Sequence, residues 1–81
     1  MVDMVTLASG EEAIINTASA VVMVSFTDGS NPAEIYDSAN TKIATLYVGD
    51  QISLPIDTGT YRLRNASGSY QYFRIARFFV V

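Results

Sequence analysis

Neither cysteine nor histidine occurs in this 81-residue chain, and tryptophan is absent too. Without cysteine there is no disulfide staple and no thiolate metal site. Without histidine the commonest general base and the commonest metal ligand are gone. Proline is held to two positions and lysine to one, Lys42. The longest apolar stretch, ASAVVMVSF at residues 18–26, is about half of the ~20 residues that a membrane-spanning helix needs. The opening MVDMVTLASG lacks the positive residues and apolar run of a secretory leader. The sequence therefore leads to the expectation of a chain made in the cytoplasm, with no membrane association.

What is present points to strands. β-Branched and aromatic residues alternate between Gly, Asn, Asp and Pro punctuation, and no segment holds a helical stripe. SNPAEIYDSAN, residues 30–40, is the one place where a short helical turn competes. Strands are expected near residues 4–8, 11–16, 20–27, 33–37, 42–48, 51–56, 60–65 and 69–80. The fold class that follows is all-β: one small antiparallel β-sandwich, Ig-like or jelly-roll-like, of seven to eight strands spanning 1–81. AVVMVSF, apolar on both sides, suits a central strand. Pro55, with no amide to donate, places QISLPI at a sheet edge or leaves it paired on one side only near Pro55.

The chain also resembles itself at an offset of 39. TLASGEEAII, from Thr6 to Ile15, aligns with TLYVGDQISL, from Thr45 to Leu54, and the same offset sets Val22 over Tyr61 and Val24 over Leu63. Each half reads as strand, Gly-acid turn, strand, turn, strand. Two such meanders facing each other would make the sandwich. NAS at residues 65–67 fits a glycosylation acceptor but reads here as part of a hairpin turn. A two-residue Ser-Gly loop would set Leu63 opposite Tyr72. One more loop residue sets Phe73 opposite Tyr61 and exchanges the faces. The longer loop is preferred, because Tyr61, Leu63, Phe73, Ile75 and Phe79 then form core while Arg62 and Arg64 lie beside Tyr70 and Tyr72.

The closing SYQYFRIARFFVV raises a difficulty, since both faces of that strand are apolar. A chain this short buries only roughly 60 to 65 per cent of its extended surface. Leaving large apolar side chains in water forfeits roughly 1.5 to 3 kcal/mol each. A partner surface is the economical cover. The contact residues expected are Tyr70, Tyr72, Arg74, Phe78, Val80 and Val81, with Met1, Val2 and Met4, because aromatics and arginine concentrate interface energy.

Charge is lopsided within a net −3: all eight acids and Lys42 lie in residues 1–57, and four arginines follow. The arginines can pair with carboxylates across strands, or meet an acidic partner or a neighbouring copy. The acids sit mostly beside Gly, Asn or Pro, where short polar side chains build turns, so no catalytic residue, metal site or cofactor is expected. Ser and Thr have no base beside them. An aromatic-basic platform of Arg62, Arg64, Tyr70, Tyr72 and Arg74 for nucleic acid is set against the net negative charge, and nucleic acid is not expected as a partner. Tyr36, Tyr47, Tyr70 or Tyr72 could offer a stacking face to a sugar.

The halves TLASGEEAIINTASAVVMVSF and AEIYDSANTKIATLYVGDQISLPIDTGTYRLRN resemble small tailed-phage virion proteins, the capsid decoration or cement proteins. Those chains share a TLxxGE strand opening, an apolar strand after NT and a late GTYRLR strand. The resemblance implies a non-enzymatic β-sandwich on the outer surface of a phage head, often trimeric, that clamps adjacent major capsid subunits. GTYRLRNASGSY also resembles the late strands of carboxypeptidase-regulatory-like or PEGA-type sandwich domains. The reading that results is a structural virion protein whose partners are the major capsid protein and neighbouring copies, with a carbohydrate- or receptor-binding module as the alternative.

Overall fold

A computed structural model describes residues 1–56 and 59–79. Eight strands run through them: β1 (Val2–Leu7), β2 (Glu12–Asn16), β3 (Ala20–Gly29), β4 (Ala33–Tyr36), β5 (Lys42–Leu46), β6 (Gln51–Leu54), β7 (Thr60–Asn65) and β8 (Gln71–Phe79). They form two four-stranded sheets, ordered β1-β8-β3-β6 (sheet A) and β2-β7-β4-β5 (sheet B). All neighbours are antiparallel. The pairs 1 with 8, 2 with 7, 3 with 6 and 4 with 5 are nested, which is the jelly-roll topology. The expected all-β sandwich is therefore what forms. SNPAEIYDSAN folds as β4 and a turn: Asp37 Oδ1 accepts from the amides of Ala39 and Thr41 at 2.9 Å.

Alternation decides what goes inside. Ala20, Val22, Val24 and Phe26 of β3, with Phe73 and Ile75 beside them on β8, form one core with Tyr61 and Leu63 of β7 and Ala33 and Ile35 of β4 in the other sheet. Phe26 and Phe73 meet in a tilted ring contact with centroids 4.8 Å apart. β3 is central in sheet A, and β6, ending before Pro55, is an edge strand paired only with β3, both as the sequence requires.

The repeat is structural. In the first turn the Ala8 amide donates to Glu11 Oε1 and the Glu11 amide to the Ala8 carbonyl. Thirty-nine residues later, the Tyr47 amide donates to Asp50 Oδ2 and the Asp50 amide to the Tyr47 carbonyl. Gly10 and Gly49, third in each turn, have φ of 78° and 97°, a region that costs any residue with a Cβ. Gly10 donates to the Asn65 carbonyl while the Asn65 amide donates to Glu11; Gly49 and Asp50 make the same two bonds with Phe26. Asn65 and Phe26 are themselves 39 apart.

Two expectations about connectivity are corrected. The halves do not form separate facing meanders: each Gly-acid turn grips a strand of the other half, so β1 and β3 share a sheet with β6 and β8. Nor do β7 and β8 form a hairpin, since residues 66–70 carry the chain from sheet B to sheet A. NAS is a turn, but a crossing one. The Asn65 side chain, fully buried, donates to the carbonyls of Leu7 and Ser69 and accepts from the amide and hydroxyl of Ser67. Tyr61, Leu63, Phe73 and Ile75 are core as expected, whereas Phe79 is 58 % exposed. Its partner is Ala20, the first residue of β3, three positions past the last pairing of β8 with β1, so it stands at the open end of the sandwich.

Gly10→Ala and Gly49→Ala should each lower stability in urea unfolding by about 1 to 2 kcal/mol, the cost of a Cβ at positive φ, and by matching amounts because the two turns are equivalent. Asn65→Ala should lose about 3 kcal/mol in the same measurement, since it strands several buried polar groups at once.

Candidate functional site

The outward positions of the two sheets differ in kind. On sheet B, Glu12 of β2 lies opposite Arg64 of β7, Ile14 opposite Arg62, Glu34 of β4 opposite Arg64, and Tyr36 opposite Arg62. Arg62 Nη1 reaches Glu12 Oε2 at 2.9 Å, its Cζ lies 5.2 Å from the centroid of the Tyr36 ring, and Nη2 donates to Asn40 Oδ1. Lys42 Nζ stands 3.5 Å from Glu34 Oε2. On this face Arg62 and Lys42 pair with acids of neighbouring strands, which for Arg62 is the cross-strand pairing anticipated, while Arg64 makes no ion pair among the described residues.

The outward positions of sheet A are Val2, Met4 and Thr6 on β1, Tyr72, Arg74, Ala76 and Phe78 on β8, Val21, Met23, Ser25 and, past the bulge, Asp28 on β3, and Gln51 and Ser53 on β6, matched by register. Met4 lies opposite Arg74, Val2 and Met23 flank Ala76, and Val21 lies opposite Phe78. Met4 is 71 % exposed, Val2 57 %, Phe78 56 % and Tyr72 43 %. Single exposed apolar residues are ordinary on a protein surface, but a contiguous apolar patch marks an interaction site. Arg74 is the one cation on this face, and among the described residues it makes no ion pair.

Of the residues expected to contact a partner, Val2, Met4, Tyr72, Arg74 and Phe78 come together on this face. Met1 extends β1, its carbonyl accepting from the Arg77 amide at 2.8 Å. Tyr70 precedes β8 and is exposed. Val80 and Val81 lie outside the described residues. Val21, Met23 and Ala76 complete the patch and were not among the expected contacts. Their signal lay in AVVMVSF itself: a central strand apolar on both sides contributes an apolar outer row as well as a core row.

Other readings lose their geometry. The aromatic-basic platform is not assembled, because Arg62 and Arg64 lie on the outer face of sheet B while Tyr72 and Arg74 lie on that of sheet A; β7 and β8 are in different sheets, so those arginines do not sit beside Tyr70 and Tyr72. A groove of about 220 Å³ is lined by Asp37, Ser38, Asn40, Thr60 and Arg62, but Arg62 is already committed to Glu12, Asn40 and the Tyr36 ring. Among the described residues, no three of His, Cys, Asp and Glu converge as a metal site would require.

Comparison with known proteins bears on the fold. No protein-family model matches the sequence, and no curated protein matches it either. A de novo designed double-stranded β-helix, solved by solution NMR, matches 96 % of this chain and 99 % of its own with a TM-score of 0.70 and 26 % identity. Drosophila melanogaster CENP-C bound to CAL1 superposes at a TM-score of 0.74 with 15 % identity, over 96 % of this chain and 64 % of that one. The cupin domain of Drosophila melanogaster CENP-C gives 0.70 and 20 %, over 96 % and 60 %. This chain thus spans about three fifths of the CENP-C chains. The double-stranded β-helix is the architecture that the nested strand pairs describe.

One titration follows from the charged face. The Tyr36 hydroxyl donates to Glu34 Oε1 at 2.8 Å. That bond, then desolvation and the Glu34 charge, raise Tyr36 above the ordinary tyrosine value of 10.0, against the opposing pull of Arg64 and Arg62. The protonated form is favoured in the fold, so this contribution to stability is complete below the ordinary value and declines as pH rises through the raised one. In a near-ultraviolet absorbance titration Glu34→Gln should bring the Tyr36 ionisation down; an unchanged curve would remove Glu34 as the cause.

Proposed function

We propose that this chain is a non-catalytic structural protein of the capsid-decoration kind, laying the outer face of sheet A against major capsid subunits and stabilising them from outside. The observation that supports the reading is the contrast between the two outer faces. One pairs Arg62 and Lys42 with acids of its own strands. The other presents Val2, Met4, Val21, Met23, Ala76, Tyr72 and Phe78 around an unpaired Arg74, a composition that resembles an interface core more than a solvated surface. The specific partner rests on the resemblance of the TLxxGE, NT and GTYRLR segments to those of tailed-phage decoration proteins. CENP-C, in its complex with CAL1, is an instance of the same architecture within a protein assembly.

The electrostatics narrow the partner surface. An arginine desolvated among apolar groups needs a carboxylate to offset the loss of water, so the complementary footprint is apolar with an acidic group opposite Arg74. Fitting such a group fixes orientation as well as adding affinity.

Co-sedimentation with purified capsids of the encoding phage tests this. Phe78→Ser and Arg74→Glu should each lower capsid occupancy at least tenfold at limiting protein, while Ile14→Ser, on the outer face of sheet B, leaves it unchanged. Wild-type occupancy by both sheet A variants would overturn the assignment of the face.

A further inference from the structure

The four edge strands are not equally guarded. Exposed edges offer unpaired backbone groups to other chains, and proteins blunt them with short strands, proline, lysine, charge or bulges. β6 has four residues and stops at Pro55. β5 begins at Lys42, where its pairing with β4 is shifted by a bulge. β2 opens with Glu12 directly after Glu11, and its last residue, Asn16, accepts from the Ala18 amide through its side chain. β1, VDMVTL, has six residues, no proline, no lysine and no bulge, Asp3 is its one charge, and its register with β8 is unbroken.

The direction of the backbone groups of β1 follows from one observed pair. The Arg77 amide donates to the Met1 carbonyl, and the Met1 amine to the Arg77 carbonyl, so Met1 and Arg77 form a hydrogen-bonded pair. In an antiparallel ladder such pairs alternate. Asp3, Val5 and Leu7 therefore bond to β8, and Val2, Met4 and Thr6 point their amides and carbonyls out of the sheet. Among the described residues none of those groups is taken by a loop or side chain.

We propose that the occupant of this edge is a second copy of the chain, with β1 pairing antiparallel to β1 of its partner across a two-fold axis at Met4. Antiparallel pairing of identical strands is self-complementary, as a two-fold interface must be. In the register centred on Met4, Val2 lies opposite Thr6 of the other copy, Met4 opposite Met4, and Thr6 opposite Val2. All three are positions whose backbone groups face outward, so each pair exchanges two hydrogen bonds. The one charge on the strand, Asp3, falls opposite Val5 rather than its own copy, so no like charges meet. Val2, Met4 and Thr6 also carry their side chains on the outer face of sheet A. Joining the two copies makes one eight-stranded sheet and doubles that apolar face without a break. The inference stands whether or not the face binds a capsid.

Sedimentation of the isolated protein decides it. The expected mass is twice that of the 8.8 kDa chain. Met4→Pro removes only an outward-facing amide, leaving the ladder to β8 intact, and should sediment as a folded monomer. Met4→Lys and Met4→Glu should each be monomeric alone and restore the dimer when mixed, because residue 4 faces its own copy. Backbone amides of Val2, Met4 and Thr6 should exchange with deuterium at least tenfold more slowly in the dimer than in the Lys variant. A monomeric wild type, or a dimer that persists with those three amides unprotected, would overturn the proposal.

Discussion

Two turns hold this fold together, each made in one half of the chain and closed on a strand of the other. The Gly10 amide and Glu11 carbonyl enclose Asn65, and the Gly49 amide and Asp50 carbonyl enclose Phe26. Each carboxylate folds back on its own turn, so the backbone arrives at the opposite strand already shaped. Neither half has a complete sheet without the other. Sheet A needs β6 and β8 from the second half, and sheet B needs β2 and β4 from the first. Most pairing is therefore between residues distant in sequence, which slows folding and makes it cooperative. For a chain with no covalent staple, that mutual dependence is what keeps a thin core closed.

The same arrangement creates two outsides of different character. Because β7 is central in sheet B, its outward arginines lie in register with acids on both flanking strands, Glu12 and Glu34, and Arg62 pairs with Glu12. In sheet A the central strands are β8 and β3, and their outward residues meet Met4, Val2, Val21 and Met23 instead. Arg74 is the counterpart of the β7 arginines in a sheet whose register sets Met4 and Ser25, not acids, directly opposite it. An apolar face of this kind serves no purpose in the isolated molecule, whose core is complete without it.

Most strand positions were legible because period-two alternation and turn residues survive in a single sequence. Ile15 and Leu54, Leu7 and Leu46, and Val24 and Leu63 are buried pairs that the 39-residue offset aligned in advance. The sheet each strand joins was not legible. Asp37 before Ser-Ala-Asn makes a true hairpin between β4 and β5, while Asn65 before Ala-Ser-Gly sends the chain across the sandwich. Both are short turns opened by an Asx side chain that accepts from the amide two residues on, so local chemistry does not separate them. The distinction lies in where the side chain's remaining bonds go: Asn65 donates to Leu7, 58 residues away. In the expected row of Tyr70, Tyr72, Arg74 and Phe78, the last three point outward because alternation fixes this whatever the partner strand, and Tyr70 precedes β8. Phe79 was misplaced because alternation does not say where the opposite sheet ends.

The acids bear on why the contact proposed lies on a face and not in the loops, where β-sandwiches often bind ligands. Glu11, Asp50, Asp37 and Asp28 accept backbone amides within their own turns. Glu12 holds Arg62, and Glu34 holds Lys42 and Tyr36. Among the described residues, Asp3 alone has no such duty, and it lies on the β1 edge. A carboxylate that is shaping a turn cannot also coordinate a metal or accept a substrate proton without loosening the turn. In a domain this small, nearly every polar side chain is committed to holding the chain's reversals. On sheet A, among the described residues, the uncommitted groups are apolar side chains and Arg74, together with the outward backbone groups of β1.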